Sequence, residues 1–409
     1  MLDIKFIRQN PEKVKDGIAK KQAVVDVDKI LSLDEEKRQL ILKIESLRAE
    51  QKELGRDQIE KAQEIKSQVK ELEPQLENIT DQLNVLLRQI PNLPLDSVLA
   101  GKDGSENVVI REEGKKPEFD FDPKDYLELA EKLNIIDVKS AAKSSGSRFG
   151  YLKGEAALLE FALVHLAFEI LTKEGFIPVV PPVMLKPEMM EGMGYTERGK
   201  DEIYFLEKDN LYLVGTSEQS IGAMHQGDIF TEEELPKRYA GFSTCFRREA
   251  GAYGKDTKGI LRVHQFDKIE MFSFCHPEKS KDEHQLLLKM EEKLMQALEL
   301  PYRVIDICSG DLGDPAAAKY DIEAWMPGQG EYRETHSTSN CTDYQARRLN
   351  IKYKDKQSQK QEFVHTLNGT AFAIGRMLIA IIENYQKKDG SIEVPKVLQK
   401  YLGLKVIKN

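Results

Sequence analysis

The chain has 409 residues, 40% of them hydrophobic and 32% charged, and it carries a formal net charge of −9. That length predicts two domains rather than one simple core, and the acidic balance argues against a protein that binds nucleic acid nonspecifically through a basic surface. The four cysteines are scattered without a CxxC pair, which argues against a structural zinc site and indicates a reducing compartment, so we expect a cytoplasmic protein.

The N-terminal hundred residues have the pattern of a coiled coil. The chain begins MLDIKFIRQNPEKVK, which has no apolar core of signal-peptide length. Apolar residues then recur at alternating spacings of three and four over residues 30–54 and 62–90. These two runs predict an antiparallel helical hairpin over residues 28–90 with arms of about 40 Å. We expect Pro74 to kink or break the second helix. Such hairpins are also typical of oligomerisation or spacer elements.

The pattern changes after the hairpin. Residues 97–116 are rich in glycine and charge and are predicted to form a linker. A long apolar helix over 156–172 leads to a strand over 176–180 and two prolines. Its apolar run is broken by His165 and Glu169, so no stretch reaches transmembrane length. Farther on, strands and helices alternate without a βαβ repeat, a P-loop or a Rossmann fingerprint, which favours a mixed or antiparallel sheet.

The segment LVGTSEQ contains two hydroxyl residues and a carboxylate, Thr216-Ser217-Glu218. A carboxylate beside hydroxyl groups suits an ammonium ligand. A hydroxyl residue followed by Glu is also typical of a helix N-cap. The local sequence is compatible with both interpretations.

Residues 246–270, FRREAGAYGKDTKGILRVHQFDKIE, predict two strands joined by a glycine-containing mobile loop. Arg247 and Arg248 precede the loop and Arg262 follows it. Because a guanidinium group suits planar, bidentate contact with phosphate, we predict an anion site here with phosphate as the leading ligand. The alternative is a cross-strand ion pair on a solvent-exposed face.

Two later segments carry isolated charged residues. Glu334 precedes Thr335, His336 and Ser337 in the segment ETHS, which alone would be an ordinary surface position. Arg376 ends the segment HTLNGTAFAIGR, which predicts a strand, a glycine-bearing turn and an apolar helix. An arginine on an apolar face is costly to bury unpaired, so it implies a partner anion or ring. The alternative is an arginine that snorkels at a helix end.

Together these segments resemble the seryl-tRNA synthetases of the class II aminoacyl-tRNA synthetases. Residues 246–270 resemble motif 2, the helix–strand–proline segment resembles motif 1, and residues 365–376 resemble motif 3. The TSE and ETHS segments resemble the family's TxE loop and its acidic segment for metal and ATP. The resemblance covers nearly the whole chain and implies an α+β fold, in which a class II antiparallel β-sheet is flanked by helices and preceded by an N-terminal antiparallel two-helix coiled-coil arm. It implies a tRNA-binding hairpin domain over 1–96, a linker over 97–116 and a catalytic domain over 117–409.

The resemblance also implies a role for each candidate residue. Arg247 and Arg376 are the expected catalytic residues. Glu334 and Ser337 are expected to hold Mg²⁺ between the phosphates of the substrate ATP. The residues expected to bind ATP are Arg247, Arg248, Glu249, Arg262, Val263, Phe266, Glu334, Thr335, His336, Ser337 and Arg376. The residues expected to bind L-serine are Thr216, Ser217, Glu218, Arg247, Glu270, Asn368 and Thr370.

Within the ATP site, matching positions imply that Arg247 meets the α-phosphate, Glu249 the adenine amino group and Arg262 the γ-phosphate. Phe266 and the guanidinium of Arg376 are expected to sandwich the adenine ring.

Within the serine site, Glu270 and Thr370 are expected to read the hydroxyl. Alanine would then leave a buried carboxylate unpaired, which disfavours it as a substrate.

The resemblance implies two reaction steps. The serine carboxylate attacks the α-phosphorus of ATP to give seryl-adenylate, and the seryl group then passes to the 3′ end of tRNA(Ser), expected to include tRNA(Sec). A homodimer is expected, with the arm of one subunit gripping the tRNA bound to the other, and no membrane partner. Three positions depart from the family pattern: Gly215 where proline is common, His336 where serine is common and Lys258 where arginine is common.

Two other functions share part of this pattern. A class II relative that loads a carrier protein would activate an amino acid but lack a tRNA-binding hairpin, so the complete hairpin counts against it. A non-enzymatic scaffold would have no need to keep Arg247, Glu249, Glu334 and Arg376 together. Serine-dependent exchange of pyrophosphate into ATP, followed by tRNA charging, separates the three functions.

Overall fold

The computed structural model describes residues 2–55, 57–250 and 258–408. The chain forms two compact units, Met1–Leu93 and Pro94–Asn409. The described residues of the first unit contain four helices, α1 (Ile4–Gln9), α2 (Pro11–Lys20), α3 (Val27–Glu53) and α4 (Ile59–Gln89).

Helices α3 and α4 form the predicted antiparallel coiled-coil hairpin, which is confirmed. Asp26 starts α3 as its N-cap, because its carboxylate accepts a hydrogen bond from the backbone N–H of Lys29 at 2.8 Å. The apolar seam forms two separate clusters. The basal cluster also includes residues of α1 and α2. The distal cluster comprises Ile44, Ile65, Val69 and Leu72, with Leu40, Leu47, Leu54 and Leu76 packed against it.

A kink or a break was expected at Pro74, and the break is not observed, because α4 continues through it to Gln89. A kink at this position stays a prediction. Proline removes one backbone hydrogen bond from a helix interior. Leu72 and Leu76 belong to the distal cluster on either side of it. Packing of these neighbours against α3 holds the helix together across the lost bond.

The described residues of the second unit contain eighteen strands and nine further α-helices. The strands are β1 (Val108–Glu113), β2 (Ile136–Asp137), β3 (Tyr151–Leu152), β4 (Ile177–Val179), β5 (Met184–Leu185), β6 (Phe205–Leu206), β7 (Leu211–Leu213), β8 (Ile229–Thr231), β9 (Lys237–Phe246), β10 (Gln265–Cys275), β11 (Tyr302–Asp306), β12 (Ala318–Met326), β13 (Glu331–Asn340), β14 (Lys352–Lys354), β15 (Gln361–Phe363), β16 (His365–Ala373), β17 (Ile392–Glu393) and β18 (Val406–Ile407). The helices are α5 (Tyr126–Leu133), α6 (Val138–Ser144), α7 (Glu155–Lys173), α8 (Pro187–Met193), α9 (Ser217–Met224), α10 (Ser280–Ala297), α11 (Tyr344–Leu349), α12 (Ile374–Asn384) and α13 (Lys396–Leu402).

Eight of these strands form the central sheet, in the order β1-β11-β12-β13-β16-β10-β9-β4. Every neighbouring pair is antiparallel except β4 with β9. The predicted antiparallel sheet flanked by helices is therefore confirmed. Helices α7, α10 and α12 pack against the sheet and bury its main apolar core.

The segment predicted to be a linker, residues 97–116, contains β1. Val108-Val109-Ile110 is a β-branched run that pairs with β11 at the edge of the sheet. The residues on either side of this run are rich in glycine and charge, so the short strand was not predicted from the sequence. None of the helices in the described ranges is long and apolar enough to cross a membrane.

Candidate active site

A cavity of about 600 Å³ lies on the central sheet, and it brings together most of the residues predicted to bind ATP and serine. Strands β9, β10, β13 and β16 supply its floor, and the first turns of α9 and α12 supply part of its wall. The predicted residues that line it are Thr216, Glu218, Arg247, Glu249, Arg262, Val263, Phe266, Glu270, Glu334, Thr335, Ser337, Asn368, Thr370 and Arg376.

Glu218 projects into one end of the cavity from the start of α9. Thr216 is the N-cap of this helix, accepting from the Glu218 backbone N–H at 3.3 Å, so the capping role and the cavity position coexist. The Glu218 carboxylate accepts hydrogen bonds from Gln345 at 3.1 Å and from Asn368 at 3.0 Å. Burial, and then the charge of Glu270, raise the pKa of Glu218 to about 7. A carboxylate held in this way can accept a bound ammonium group.

Gly215 replaces the family's common proline and uses the N–H that proline lacks. Its backbone N–H donates to the side-chain oxygen of Gln219 at 2.8 Å, and its carbonyl oxygen accepts from Arg247 Nε at 3.2 Å. The loop is thus tied on both sides. Ser217, in contrast, donates to the carbonyl oxygen of Gly241 at 2.9 Å and lies outside the lining of the cavity.

Glu270 and Lys268 form a buried ion pair on the cavity floor. Both side chains point to the same face of β10, and they are 2% and 7% exposed. The Thr370 hydroxyl donates to Glu270 Oε2 at 3.4 Å. The pairing of β10 with β16 changes register between Ile269 and Glu270, so Thr370 rather than Ala371 stands opposite Glu270. Bulges of this kind re-aim side chains in active sites.

The arginines of the predicted phosphate site stand at the end of β9 and after the loop. The Arg247 guanidinium lies 5.3 Å from the centre of the Phe266 ring. The backbone N–H of Arg247 donates to the carbonyl oxygen of His264 at 3.0 Å, and its carbonyl oxygen lies 3.0 Å from the side-chain Nδ1 of His264. Arg262 donates to the Glu249 carboxylate at 2.7 Å. This ion pair joins residues beyond the ends of β9 and β10 and lies inside the cavity, so it is not the cross-strand pair on a solvent-exposed face that the sequence left open.

Glu334 lies among three cations at the other end of the cavity. Arg376 donates to its carboxylate at 3.0 Å and to its backbone carbonyl oxygen at 2.9 Å. Partial removal from water raises the pKa of Glu334. Attraction to Arg376, Lys319 and Arg247 outweighs this desolvation and lowers the pKa of Glu334 to about 2. The side chain is still 47% exposed through the cavity. Glu334 is therefore a charged, accessible ligand.

The oxygen atoms around Glu334 fit a magnesium ion shared with phosphates. Ser337 also lines the cavity, and Asp321, opposite it on β12, has a buried Oδ1 with no hydrogen-bond partner in the described part of the chain. Over residues 2–55, 57–250 and 258–408 no group of three or more His, Cys, Asp or Glu side chains could hold a metal by itself. Mg²⁺ bound by few carboxylates usually depends on substrate phosphates for its other ligands.

Two predicted ATP-binding residues lie outside the lining of this cavity. His336 is 1% exposed; its Nδ1 is 2.8 Å from the Thr335 hydroxyl and its ring meets that of Phe372. Burial lowers its pKa to about 3, so it is neutral. Alternation along β13 turns His336 away from the side that Ser337 faces. Arg248 instead lines a neighbouring depression, with its guanidinium 5.7 Å from the Tyr204 ring centre.

Several lining residues were missed in the sequence. Lys268, Lys319, Tyr195 and Gln345 all lie in or beside the cavity. Strand alternation was the available signal for Lys268, because it puts this residue on the same face of β10 as two predicted site residues. The others come from strands, loops and helices distant in sequence, and no local pattern identifies them.

The predicted mobile loop of residues 246–270 falls mostly on positions 251–257, which lie outside the described residues. Lys258 is exposed and does not contribute to the lining of the cavity. Its expected contact with the end of a tRNA stays a prediction.

An antiparallel sheet that presents two arginines, an accessible glutamate and a group of buried acidic side chains in one cavity is the catalytic core of a class II aminoacyl-tRNA synthetase. The protein-family model described as "tRNA synthetase class II core domain (G, H, P, S and T)" matches residues 204–385 of this chain. The model described as "Seryl-tRNA synthetase N-terminal domain" matches residues 1–94.

Individual relatives agree over the full length. The chain is 48% identical to the serine--tRNA ligase of Acidothermus cellulolyticus over 421 residues and 47% identical to that of Dictyoglomus thermophilum over 423, each match covering 100% of this chain and 99% of the relative. The solved seryl-tRNA synthetase of Pyrococcus horikoshii, complexed with ATP, has a TM-score of 0.94 and 44% identity, covering 100% and 99% of the two chains. The cytoplasmic serine-tRNA ligase of Naegleria fowleri, in complex with AMP, has a TM-score of 0.91 and 37% identity, with the same coverage. The chain therefore belongs to the seryl-tRNA synthetase family and is an aminoacyl-tRNA ligase.

Proposed function

We propose that this enzyme activates L-serine with ATP to form seryl-adenylate and then transfers the seryl group to the 3′ end of tRNA(Ser), including tRNA(Sec). One observation carries the proposal: a single cavity holds a buried acidic pocket at one end and the Arg247–Arg376 cluster at the other. ATP and AMP in the two solved relatives support a nucleotide at the arginine end.

At the acidic end, Glu218 would receive the serine ammonium group and Glu270 the hydroxyl. Glu218 already accepts two N–H bonds from Gln345 and Asn368, which fix its carboxylate. Thr370 completes the hydroxyl site beside Glu270. The serine carboxylate then points toward Arg247, and orientation of the two reactants supplies much of the rate.

At the arginine end, Arg247 and Arg376 would stabilise the charge that develops on the phosphates. The ring of Phe266 offers one face for the adenine, and Arg376 offers a cation for the other face. Glu249, Arg262, Val263 and Thr335 complete this wall. Carboxylate attack on the α-phosphorus breaks the bond to pyrophosphate and leaves seryl-adenylate.

Glu334 and Ser337 would hold Mg²⁺ against the phosphates, and the bound ion would supply charge neutralisation for the departing pyrophosphate. Lys319 and Asp321 flank this position, with Lys319 Nζ donating to Asp321 Oδ2 at 2.9 Å.

The transfer step would use both units of the chain. We assign tRNA binding to residues 1–96, with the arm over 28–90, and catalysis to residues 117–409, joined through 97–116. Contacts between the arm and the tRNA would depend on the shape of the tRNA and on its phosphates rather than on its bases. The enzyme would act as a homodimer in the cytoplasm, and the free thiols of all four cysteines support a reducing compartment.

The deciding experiment is amino-acid-dependent exchange of labelled pyrophosphate into ATP, followed by charging of tRNA(Ser) and tRNA(Sec) transcripts. We expect exchange with serine and charging of both. Exchange without charging would instead favour a carrier-loading relative. Absence of serine-dependent exchange would contradict the activation step itself.

A further inference from the structure

We propose that Lys268 is a positioning residue for amino-acid selection: its ammonium group holds the Glu270 carboxylate by Oε2 and leaves Oε1 to accept the side-chain hydroxyl of the substrate. This inference rests on the proposed serine-activating function. Lys268 lies within the motif 2 segment, residues 246–270, but the sequence had suggested no role for it.

The geometry of the pair supports this role. Lys268 Nζ and the Thr370 hydroxyl both contact Glu270 Oε2, while Oε1 has no hydrogen bond to any residue that the structure describes. Lys268 contacts this oxygen from the same strand, β10, and Thr370 contacts it from the adjoining strand β16, so the carboxylate cannot turn without breaking both contacts. The change of register beside Glu270 brings Thr370 into this position.

The charges around the Lys268–Glu270 pair indicate a second role for Lys268, which is to balance nearby negative charge. Glu218 and Glu291 lie near this pair. Burial, and then the charge of Glu270, raise the pKa of both carboxyl groups, whereas the charge of Lys268 lowers the pKa of both. Lys268 thus supplies positive charge beside Glu270 and Glu218, while burial keeps Glu291 protonated. Without Lys268, the hydroxyl-binding carboxylate would stand uncompensated beside Glu218.

A purely structural ion pair would have no effect on substrate choice, and this separates the two roles. Alanine has the ammonium and carboxylate of serine but no hydroxyl, so its activation gains nothing from a hydrogen bond to Glu270 Oε1. The ratio of kcat/KM for serine to that for alanine therefore reports the hydroxyl site alone. General loss of folded enzyme lowers both values and cancels from the ratio.

The test compares K268M, E270Q and the double variant K268M/E270Q in pyrophosphate exchange with serine and with alanine. We expect K268M to lower kcat/KM for serine by about 10- to 100-fold, mainly through KM, and to change the value for alanine by less than about threefold. E270Q should have a similar effect. The double variant should lose little more than either single one, because the two groups act as a unit. It also removes both buried charges, which keeps the test valid if K268M folds poorly.

The matched control is R238M. Arg238, on β9 of the same sheet, forms a largely buried ion pair with Glu283 of α10, with Nε 2.6 Å and a second nitrogen 2.7 Å from its carboxylate, away from the cavity. Its loss should destabilise the protein without changing the serine-to-alanine ratio. A wild-type ratio in K268M, or losses that multiply in the double variant, would overturn the role of Lys268 while leaving serine activation intact. Absence of exchange in the wild type would instead remove the proposed function and this inference with it.

Discussion

Arg376 donates from one guanidinium nitrogen to both the backbone carbonyl oxygen and the carboxylate of Glu334, at 2.9 and 3.0 Å. A residue predicted to stack on adenine and a residue predicted to hold a metal ion are therefore paired with each other. The pair is partly exposed, at 26% for Arg376 and 47% for Glu334. Such pairs contribute about 0–1 kcal/mol to stability, so this contact prepares the site more than it stabilises the fold.

Replacing Arg376 by Gln should therefore affect ATP and not folding. We expect kcat/KM for ATP to fall by about 100-fold or more, because a charge that stabilises the transition state is removed. The melting temperature should change by no more than a few degrees. Pyrophosphate exchange at varied ATP and thermal unfolding measure the two effects. An equal loss in R303Q, whose arginine pairs with Glu323 outside the cavity, would contradict the assignment.

Serine activation should depend on pH through Glu218. The pKa of this group is about 7 because of burial and the nearby Glu270, and only its ionised form can bind an ammonium group. At low serine concentration, kcat/KM should fall about tenfold per pH unit below that value. E218Q should have a lower kcat/KM that no longer varies with pH over this range. The ATP dependence measured at saturating serine is the internal control, because bound serine keeps Glu218 ionised.

The sequence predicted the parts of this site that lie in contiguous segments. The coiled-coil spacing identified the arm, and residues 246–270 contained Arg247, Phe266 and Glu270 in one hairpin. It could not predict the partners that close the site from other elements, such as Gln345 from α11. Nor could it show that His336 faces away from the cavity. Local patterns report what one strand or helix presents, whereas contacts between distant elements depend on packing.

The buried carboxyl of Glu291 should make stability depend on pH. This side chain is fully buried, and neither of its oxygens has a hydrogen-bond partner in the described ranges. Burial, and then Glu270 and Asp321, raise its pKa well above 4.5, so the folded state keeps a proton that the unfolded chain loses. The contribution of this group to the free energy of unfolding is largest below about pH 4.5. It falls by about 1.4 kcal/mol per pH unit above that, and is lost as the pH rises through the folded pKa.

Glu291→Met should remove that loss, since it replaces an unpaired buried acid by an apolar side chain of similar size. We expect the free energy of unfolding of the variant to exceed that of the wild type by an amount that grows between about pH 5 and 8. Urea unfolding at several pH values measures this difference. A difference that stays constant with pH would mean that Glu291 does not hold its proton in the folded state.

The exposed apolar face of α7 should form the dimer interface. Leu158 and Phe161 are 53% and 59% exposed on this helix, and Ile177 and Val180 beyond it are 49% and 78% exposed. Apolar residues grouped in this way mark a surface that another protein covers. F161E should shift the enzyme from dimer to monomer in analytical ultracentrifugation. V24E is the control, because Val24 is 96% exposed in the other unit, and an equal shift there would argue against α7 as the interface.

Deleting the distal half of the arm while keeping its base should separate serine activation from transfer to tRNA. The basal cluster includes Leu33 and Leu83, whereas the distal cluster is centred on Ile44 and Val69. Replacing residues 38–78 by a short glycine-rich turn therefore leaves the basal cluster packed. Serine-dependent pyrophosphate exchange should be unchanged, because the cavity is lined by residues 195–376. Charging of tRNA(Ser) should fall at least about tenfold in kcat/KM through the lost phosphate contacts. Charging equal to that of the intact enzyme would mean that the arm is only a spacer.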